Sequence, residues 1–298
     1  MLFFVYLDKI LYNIIGVKMN GIILIDKPSG ITSYDVIRRL KTIIKGHKIG
    51  HAGTLDPLAS GLLIVLVGSA TKLFDLIQAD KKRYSGTIIF GNLYDSYDIK
   101  GNILEAKIPQ ITEEDVVRGF NHFNNLTYMQ TPPIYSALKV HGKKAYEYAR
   151  EGKEVKLDPR EVTIHTFKKT STYENYQVSF ETLVSKQTYI RSLAYDLGSY
   201  LSEFAALKTL KREEIGPFKV TDATSVDNYE LISINEYFKD FKKLKFDEYT
   251  TKLVKNGVWL DDRQTDTSNE FVVLDETGNV IALYEPVGDG RYRPKIMF

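Results

Sequence analysis

Gly50-His51-Ala52-Gly53-Thr54-Leu55-Asp56-Pro57-Leu58-Ala59-Ser60-Gly61 runs without a break into Leu62-Leu63-Ile64-Val65-Leu66-Val67 and then Gly68. The apolar run has the length and β-branched content of a fully buried strand, with glycine on both sides. Upstream, Gly46, Gly50 and Gly53 fall within eight residues, a density that neither helix nor strand favours. One carboxylate, Asp56, therefore sits on a sharply turned loop that feeds a rigid strand. Pro57 fixes the backbone after it and steers Asp56 away from helical geometry. Reactive groups are often carried on loops held by such a scaffold. An Asp-Pro in a loop is more often a simple turn, so the surrounding chain has to decide.

Working outward, Gly21 to Ile25 reads as a second buried strand, ended by Lys27-Pro28-Ser29-Gly30. Thr32 with Asp35 three residues on predicts a capped helix start. Val36, Ile37, Leu40, Ile43 and Ile44 follow at helical spacing, which leaves the basic residues on the opposite face. Downstream, Lys82-Arg83-Tyr84 opens an alternating strand to Phe90, and Gly91 leads into Asn92-Leu93-Tyr94-Asp95-Ser96-Tyr97-Asp98. Thr112 predicts the start of a helix whose Val116, Val117, Phe120 and Phe123 pack in the core. Gln130-Thr131-Pro132-Pro133-Ile134-Tyr135-Ser136-Ala137-Leu138-Lys139 excludes regular structure at its proline pair. The following segment, Gly142 to Gly152, mixes basic residues with Tyr146 and Tyr148 and predicts an exposed flap suited to stacking and phosphate contact. Two further blocks are Ser185-Lys186-Gln187-Thr188-Tyr189-Ile190-Arg191-Ser192-Leu193, and Leu210-Lys211-Arg212 with Ile215-Gly216-Pro217-Phe218. Lys242-Lys243-Leu244-Lys245 reads as a linker. Beyond it, Phe271 to Leu274, a turn, and Val280 to Tyr284 predict a hairpin.

Composition sets the outer limits. The 298 residues suit one large domain and a small one, and 43% apolar with 26% charged residues is ordinary for a soluble globular chain. Cysteine is absent, which excludes disulfides, thiolate zinc sites and a thiol nucleophile, and fits a reducing compartment such as the cytoplasm. A net charge of +2 leaves any RNA contact to local clusters. Three clusters qualify: Arg38, Arg39, Lys41, Lys45 and Lys48; Lys81-Lys82-Arg83; and Lys139, Lys143, Lys144 and Arg150. Each alone reads as a solvated face, whereas three beside aromatic-rich segments predict a phosphate-tracking groove. Gly68-Ser69-Ala70-Thr71-Lys72 has the wrong spacing for a nucleotide phosphate loop. His47 and His51 lack the further ligands a zinc site needs. Residues 1–18 are apolar but broken by Asp8 and Lys9, too short to span a bilayer and without the features of a signal peptide. Met19 opens what looks like a natural start, so these residues read as an N-terminal tail.

The stretch around Asp56 resembles the catalytic loop of the TruB-type tRNA pseudouridine synthases, G-H-x-G-T-L-D-P-x-A-x-G-x-L, at every fixed position. The blocks at Asp26–Ser33, Lys82–Tyr84, Gln130–Lys139, Ser185–Leu193 and Leu210–Phe218 resemble the same family in order along the chain. Gln187 replaces a usual glycine, and Tyr94 a usual threonine. The resemblance covers about residues 19–218. It implies an α/β (α+β) fold, a mixed and mostly antiparallel sheet flanked by helices, over 19–240. It further implies an RNA-clamping insertion at about 124–152 and a small β-rich PUA-like RNA-binding domain at 246–298. The implied reaction is isomerisation of uridine-55 in the TΨC loop of tRNA. Asp56 would be the nucleophile, Arg191 its orienting partner, and Tyr84 a stacking platform whose phenol takes part in the C5 proton step. Substrate binding falls to His51, Tyr189, Leu210, Lys27, Lys82 and Lys139. The chemistry calls for no cofactor and no metal, because a carboxylate is already ionised at neutral pH. tRNA is the implied partner of a monomer with no obligate protein partner and no membrane association. Two rivals are an RNA-guided dyskerin-type pseudouridylase subunit, which shares the aspartate loop, and a non-catalytic tRNA-folding chaperone. The absence of long basic extensions speaks against the first, and the Asp56–Arg191–Tyr84 set against the second.

Overall fold

A computed structural model describes residues 19–298 with the exception of Glu154, so the proposed N-terminal tail lies outside the described residues. In chain order the first half comprises β1 (Gly21–Lys27), α1 (Ser33–Ile43), β2 (Ile49–Ala52), β3 (Ser60–Val67), α2 (Phe74–Gln78), β4 (Lys82–Phe90), β5 (Asn92–Tyr94), β6 (Ile103–Ala106), α3 (Glu113–Phe123) and β7 (Leu126–Gln130). After β7 come β8 (Lys139–Val140), β9 (Lys143–Lys144), α4 (Ala145–Arg150), β10 (Arg160–Lys169), β11 (Gln177–Val184), α5 (Ile190–Tyr200), β12 (Ala205–Ile215) and β13 (Phe218–Lys219). The last part holds β14 (Ile232–Ser233), α6 (Ile234–Tyr237), β15 (Lys242–Lys245), α7 (Glu248–Lys255), β16 (Leu260–Asp261), β17 (Phe271–Leu274), β18 (Val280–Gly288) and β19 (Arg291–Met297).

The large sheet runs β14-β1-β3-β12-β4-β11-β10-β7, with β2 and β13 attached at β3 and β12. Its pairings are antiparallel apart from a short parallel contact of β3 with β12. The mixed, mostly antiparallel α/β sheet read from the sequence is therefore present. In β3 every residue from Gly61 to Val67 is buried, because both faces of the strand are covered. Leu63, Val65 and Val67 join Ile23 and Ile25 in a core closed by Val36, Ile37 and Leu40 of α1, Val116 and Phe120 of α3, and Leu193 and Leu197 of α5. Leu62, Ile64 and Leu66 join Ile22 and Leu24 in a second core that also takes Phe238, Val272 and Leu283. An unbroken apolar run is the signature of a strand covered on both faces.

The capping box of Thr32 with Asp35 starts α1, and an equivalent box of Thr112 with Asp115 starts α3. One residue departs from the sequence reading of α3: Val117 is 39% exposed. Val116, Phe120 and Phe123 share the buried stripe, and Val117 stands one helical step, about 100°, away from Val116. A second departure is larger. Lys242–Lys245 is not a linker but an edge strand, β15, paired in parallel with β17 in a five-stranded sheet β15-β17-β18-β19-β16. Leu244 packs inward while the three lysines are exposed, a charge pattern that protects a sheet edge from further pairing. The second sheet thus begins at Lys242. The hairpin of β17 and β18 is as the sequence indicates.

Candidate active site

The loop Gly53–Ala59 is held from three sides by short polar contacts. From the first turn of α1, Ser33 Oγ donates to Leu55 O at 3.0 Å and accepts from Leu55 N at 2.8 Å. Gly30 N donates to Pro57 O at 2.7 Å, and Ser29 Oγ to Leu58 O at 2.7 Å. Lys27, wholly buried, knits the β1–α1 connection itself by donating to Pro28 O and Ile31 O. The two sequence blocks K-P-S-G-I-T-S and T-L-D-P-L-A are therefore one structural unit. On the far side, Arg212 Nη2 donates to Gly53 O at 2.8 Å. Gly61 lets β3 pass close to β12: a Cβ there would lie 2.4 Å from Arg212 O, and its φ of 96° is left-handed. Asp56 emerges from this frame with its side chain 42% exposed.

The first turn of α5 supplies the partner. Arg191 is 5% exposed, and its Nε donates to Asp56 Oδ2 at 2.8 Å. Its remaining nitrogens are fixed by carbonyls, Nη1 on Ser96 O at 2.9 Å and Nη2 on Tyr135 O at 2.8 Å. Asp98 stands 3.7 Å from Nε. A planar guanidinium with every side occupied cannot rotate away, so the carboxylate it holds is oriented. The loop before α5 turns at Gln187, whose φ of 66° is left-handed. Glycine reaches that conformation without strain, which is the physical sense of a glycine at this place.

A cleft of about 470 Å³ opens over Asp56 and is lined by Tyr84, Tyr189, Arg191, Leu210 and Arg212, among others. Tyr84, Leu210 and Arg212 lie together because β4 and β12 are antiparallel neighbours, with Arg212 opposite Tyr84 and Leu210 opposite Gly86. Tyr189 is locked by one amide: Gln130 Oε1 accepts from Tyr189 N at 2.8 Å, and Gln130 Nε2 donates to Tyr189 O at 3.2 Å. Burial pushes the Tyr189 phenol up.

The remaining residues named from the sequence are placed unevenly. Lys82 lines the cleft but is 7% exposed, its Nζ bonded to Gln78 O and Asp80 O. Burial brings both Lys82 and Lys27 down to about 8 from the usual 10.5. His51 sits behind the loop with Nε2 3.1 Å from Thr54 Oγ1, and burial, then Arg212, lowers its pKa. Lys139 lies on the exposed strand β8, beside the lining residue Leu138. The basic clusters are partly neutralised: Arg38 pairs with Asp35, Arg39 with Asp227, Arg83 with Glu214 and Lys143 with Glu151. Arg212 and Asp98 carry no role in the sequence reading. Leu210 and Arg212, two apart on one strand, share a face, and that alternation is the signal that points to Arg212. No comparable signal marks Asp98.

Between β7 and β10 the chain leaves the large sheet. Gln130 still pairs with Arg160 within it, so the excursion begins at Thr131 and carries the β8–β9 hairpin and α4. Its root is bonded to α5 through Ser192 Oγ on Thr131 O and Arg191 on Tyr135 O. Lys144 and Arg150 lie over the Tyr146 ring, and Lys143 over the Tyr148 ring. Among the described residues, no group of His, Cys, Asp or Glu is arranged to hold a metal ion, and no helix is long and apolar enough to cross a membrane.

A family model described as TruB family pseudouridylate synthase (N terminal domain) matches residues 41–190. The tRNA pseudouridine synthase B of Onion yellows phytoplasma is 42% identical over 283 residues, spanning 94% of this chain and 100% of the relative. That of Acholeplasma laidlawii is 43% identical over 283 residues, with the same coverage. Among solved structures, a chain of an H/ACA RNP bound to a substrate RNA containing 2'-deoxyuridine superposes with a TM-score of 0.66 at 19% identity, covering 93% of this chain and 84% of that one. A chain of a Cbf5-Nop10-Gar1 complex gives 0.67 at 20%, with the same coverage. At such identity the likeness is one of fold. With the Asp56 loop, the Arg191 fork and the cleft above them in one sheet-borne frame, this chain belongs to the TruB family of pseudouridylate synthases.

Proposed function

We propose that the chain is a tRNA pseudouridine synthase that takes uridine-55 of the TΨC loop into the cleft and isomerises it with Asp56 as nucleophile. The observation that carries this is the Asp56 carboxylate, open to the cleft and held at 2.8 Å by a buried guanidinium. Extruding a stacked uridine costs a few kcal/mol, and a base–aromatic stack returns roughly 1–3 kcal/mol. Tyr84 and Tyr189 supply the rings, with Leu210 closing the pocket. Asp56 then meets the nucleotide, the N-glycosidic bond breaks, and the uracil turns to rejoin through C5. Arg191 keeps the carboxylate aimed throughout. The Tyr84 phenol takes part in the C5 proton step, passing its own proton to solvent as its oxygen takes the one from C5.

The excursion from Thr131 onward, with its cation-over-ring pairs, suits a clamp on an RNA stem-loop, and the sheet from Lys242 to Met297 suits a second RNA contact. tRNA is the partner in this reading, bound by a monomer that needs no protein partner, in the cytoplasm. Lys27 and His51 serve by framing the loop, Lys82 by its place in the cleft, and Lys139 at the clamp. The test is an unmodified tRNA transcript incubated with the protein in EDTA and mapped for pseudouridine. One pseudouridine, at position 55, is expected. None, or one elsewhere only, refutes the proposal.

A further inference from the structure

We infer that Gln130 is a positioning residue: its buried side-chain amide fixes the start of α5 and thereby sets the Arg191 guanidinium against Asp56. This role rests on the one proposed for Asp56 and adds what holds its partner in place.

Gln130 is the last residue of β7, still paired with Arg160 in the large sheet, and is 2% exposed. Its amide meets the peptide of Tyr189, the residue just before α5. The Tyr189 side chain makes no capping hydrogen bond to the helix, so the start of α5 depends on groups that reach it from elsewhere in the fold. Gln130 Oε1 accepts from Tyr189 N at 2.8 Å, and Nε2 donates to Tyr189 O at 3.2 Å. A second bond from Nε2 runs 2.8 Å to the Tyr128 hydroxyl, which in turn donates to Asp196 Oδ2 at 2.7 Å. Tyr128 and Gln130, two apart on β7, share a face, and Asp196 comes from the body of α5.

The polarity of this chain of bonds admits one arrangement. A backbone N–H can only donate, so Oε1 must face it, and both Nε2 protons are then committed to Tyr189 O and Tyr128. The phenol, accepting from Nε2, gives its own proton to the carboxylate. Turning the amide over would set donor against donor and oxygen against oxygen, so it stays as it is. One residue on, Thr131 O accepts from Ser192 Oγ at 2.8 Å. Consecutive residues of one sheet-borne segment therefore hold α5 at Tyr189 and at Ser192, on either side of Arg191. A helical turn is stiff, and a shift of the Tyr189 peptide carries Arg191 with it. Arg191 Nε lies 2.8 Å from Asp56 Oδ2, and a displacement of about 1 Å would take that bond out of hydrogen-bond range. A buried apolar side chain of the same length could fill the space of Gln130 but could not set this register.

Two variants test it. Gln130→Met keeps the length of the side chain and removes the amide, whereas Gln130→Asn keeps an amide one methylene too short to reach both Tyr189 groups. Thr112→Ala, which removes the cap of α3, is the control for destabilisation alone. Single-turnover pseudouridine formation at saturating enzyme is measured beside stem-loop affinity. Deuterium exchange of the Arg191 Nε–H is followed by NMR, with the resonance assigned by its loss in Arg191→Lys. Both Gln130 variants should slow single-turnover chemistry roughly 10- to 100-fold, the scale of a misplacement of about 1 Å. Affinity should stay within about threefold, less than a lost base stack would cost. The Arg191 Nε–H should exchange at least about tenfold faster in both variants, as expected of a locally opened contact, and Thr112→Ala should move neither rate nor exchange. If Gln130 only fills space, its variants lose stability as Thr112→Ala does but keep the wild-type rate and exchange, which overturns the inference. Slowed chemistry with unchanged exchange overturns it too, because the effect then bypasses Arg191. Either Gln130 variant decides the matter alone, so misfolding of one leaves the other to report. A wild type that forms no pseudouridine removes the proposed function, while the exchange measurement still decides whether Gln130 holds Arg191.

Discussion

Removing one oxygen from α1 should loosen the Asp56 loop on the neighbouring connection. Ser33 Oγ serves both backbone groups of Leu55, the residue before Asp56, and Ser33 and Leu55 are 1% and 3% exposed. Ser33→Ala leaves a buried N–H and a buried C=O with no partner. Each orphaned group costs about 1–3 kcal/mol. The vacated space is smaller than a water molecule requires, so solvent does not restore the bonds. Loop relaxation recovers part of the sum, and the expected loss is about 2–4 kcal/mol. Urea unfolding should show it as a lower midpoint at unchanged slope. Because Asp56 is covalently next to the disturbed residue, single-turnover chemistry should also slow, by about 10²-fold for a shift of about 1 Å. A variant within about 0.5 kcal/mol of wild type and equally fast would refute the idea that this hydroxyl sets the loop.

Two further outcomes follow from burial and from exposure. Lys27 and Lys82 titrate near 8 in the folded chain against 10.5 when free, so between those values the unfolded chain binds more protons. Stability should therefore rise as pH climbs from about 8 toward 10, and Lys82→Met should flatten that rise; a fall across the window would contradict the assignment. Residues 139–153 carry few buried side chains, Ala145 being the exception. Their amides should exchange quickly in the free protein and become protected on adding a TΨC stem-loop, and equal exchange in both states would remove the clamp.

Much of this was legible because period and chemistry agreed. The run Leu62–Val67 announced a strand covered on both faces, and Thr32 with Asp35 announced a helix start, since both signals are local. The Asp56 loop was legible as a motif, and its partner Arg191 only through the family pattern, because 135 residues separate them. What escaped was set by register. Nothing local says that Arg212 will stand opposite Tyr84, a pairing reached across irregularities in β12. Asp98 escaped for the same reason: it meets Arg191 only after the turn that follows β5 has folded over α5. The lysines of β15 looked like a linker because an edge strand is allowed to be charged, and its parallel partner lies nearly thirty residues downstream. Lys82 looked like a surface phosphate contact because a charge run carries no sign of which member is buried.

One carboxylate, Asp56, carries the proposed chemistry. Asp56→Asn preserves the shape of the side chain and leaves an oxygen for Arg191 Nε, so the loop and the cleft should survive while the nucleophile is lost. Pseudouridine formation on a tRNA stem-loop, followed in single turnover beside stem-loop affinity, measures both. The prediction is affinity within about threefold of wild type, below the roughly 1–3 kcal/mol of a lost base stack, with no pseudouridine formed over any time in which wild type reaches completion. Turnover by Asp56→Asn, confirmed with Asp56→Ala, would contradict the assignment of Asp56 as the group that attacks.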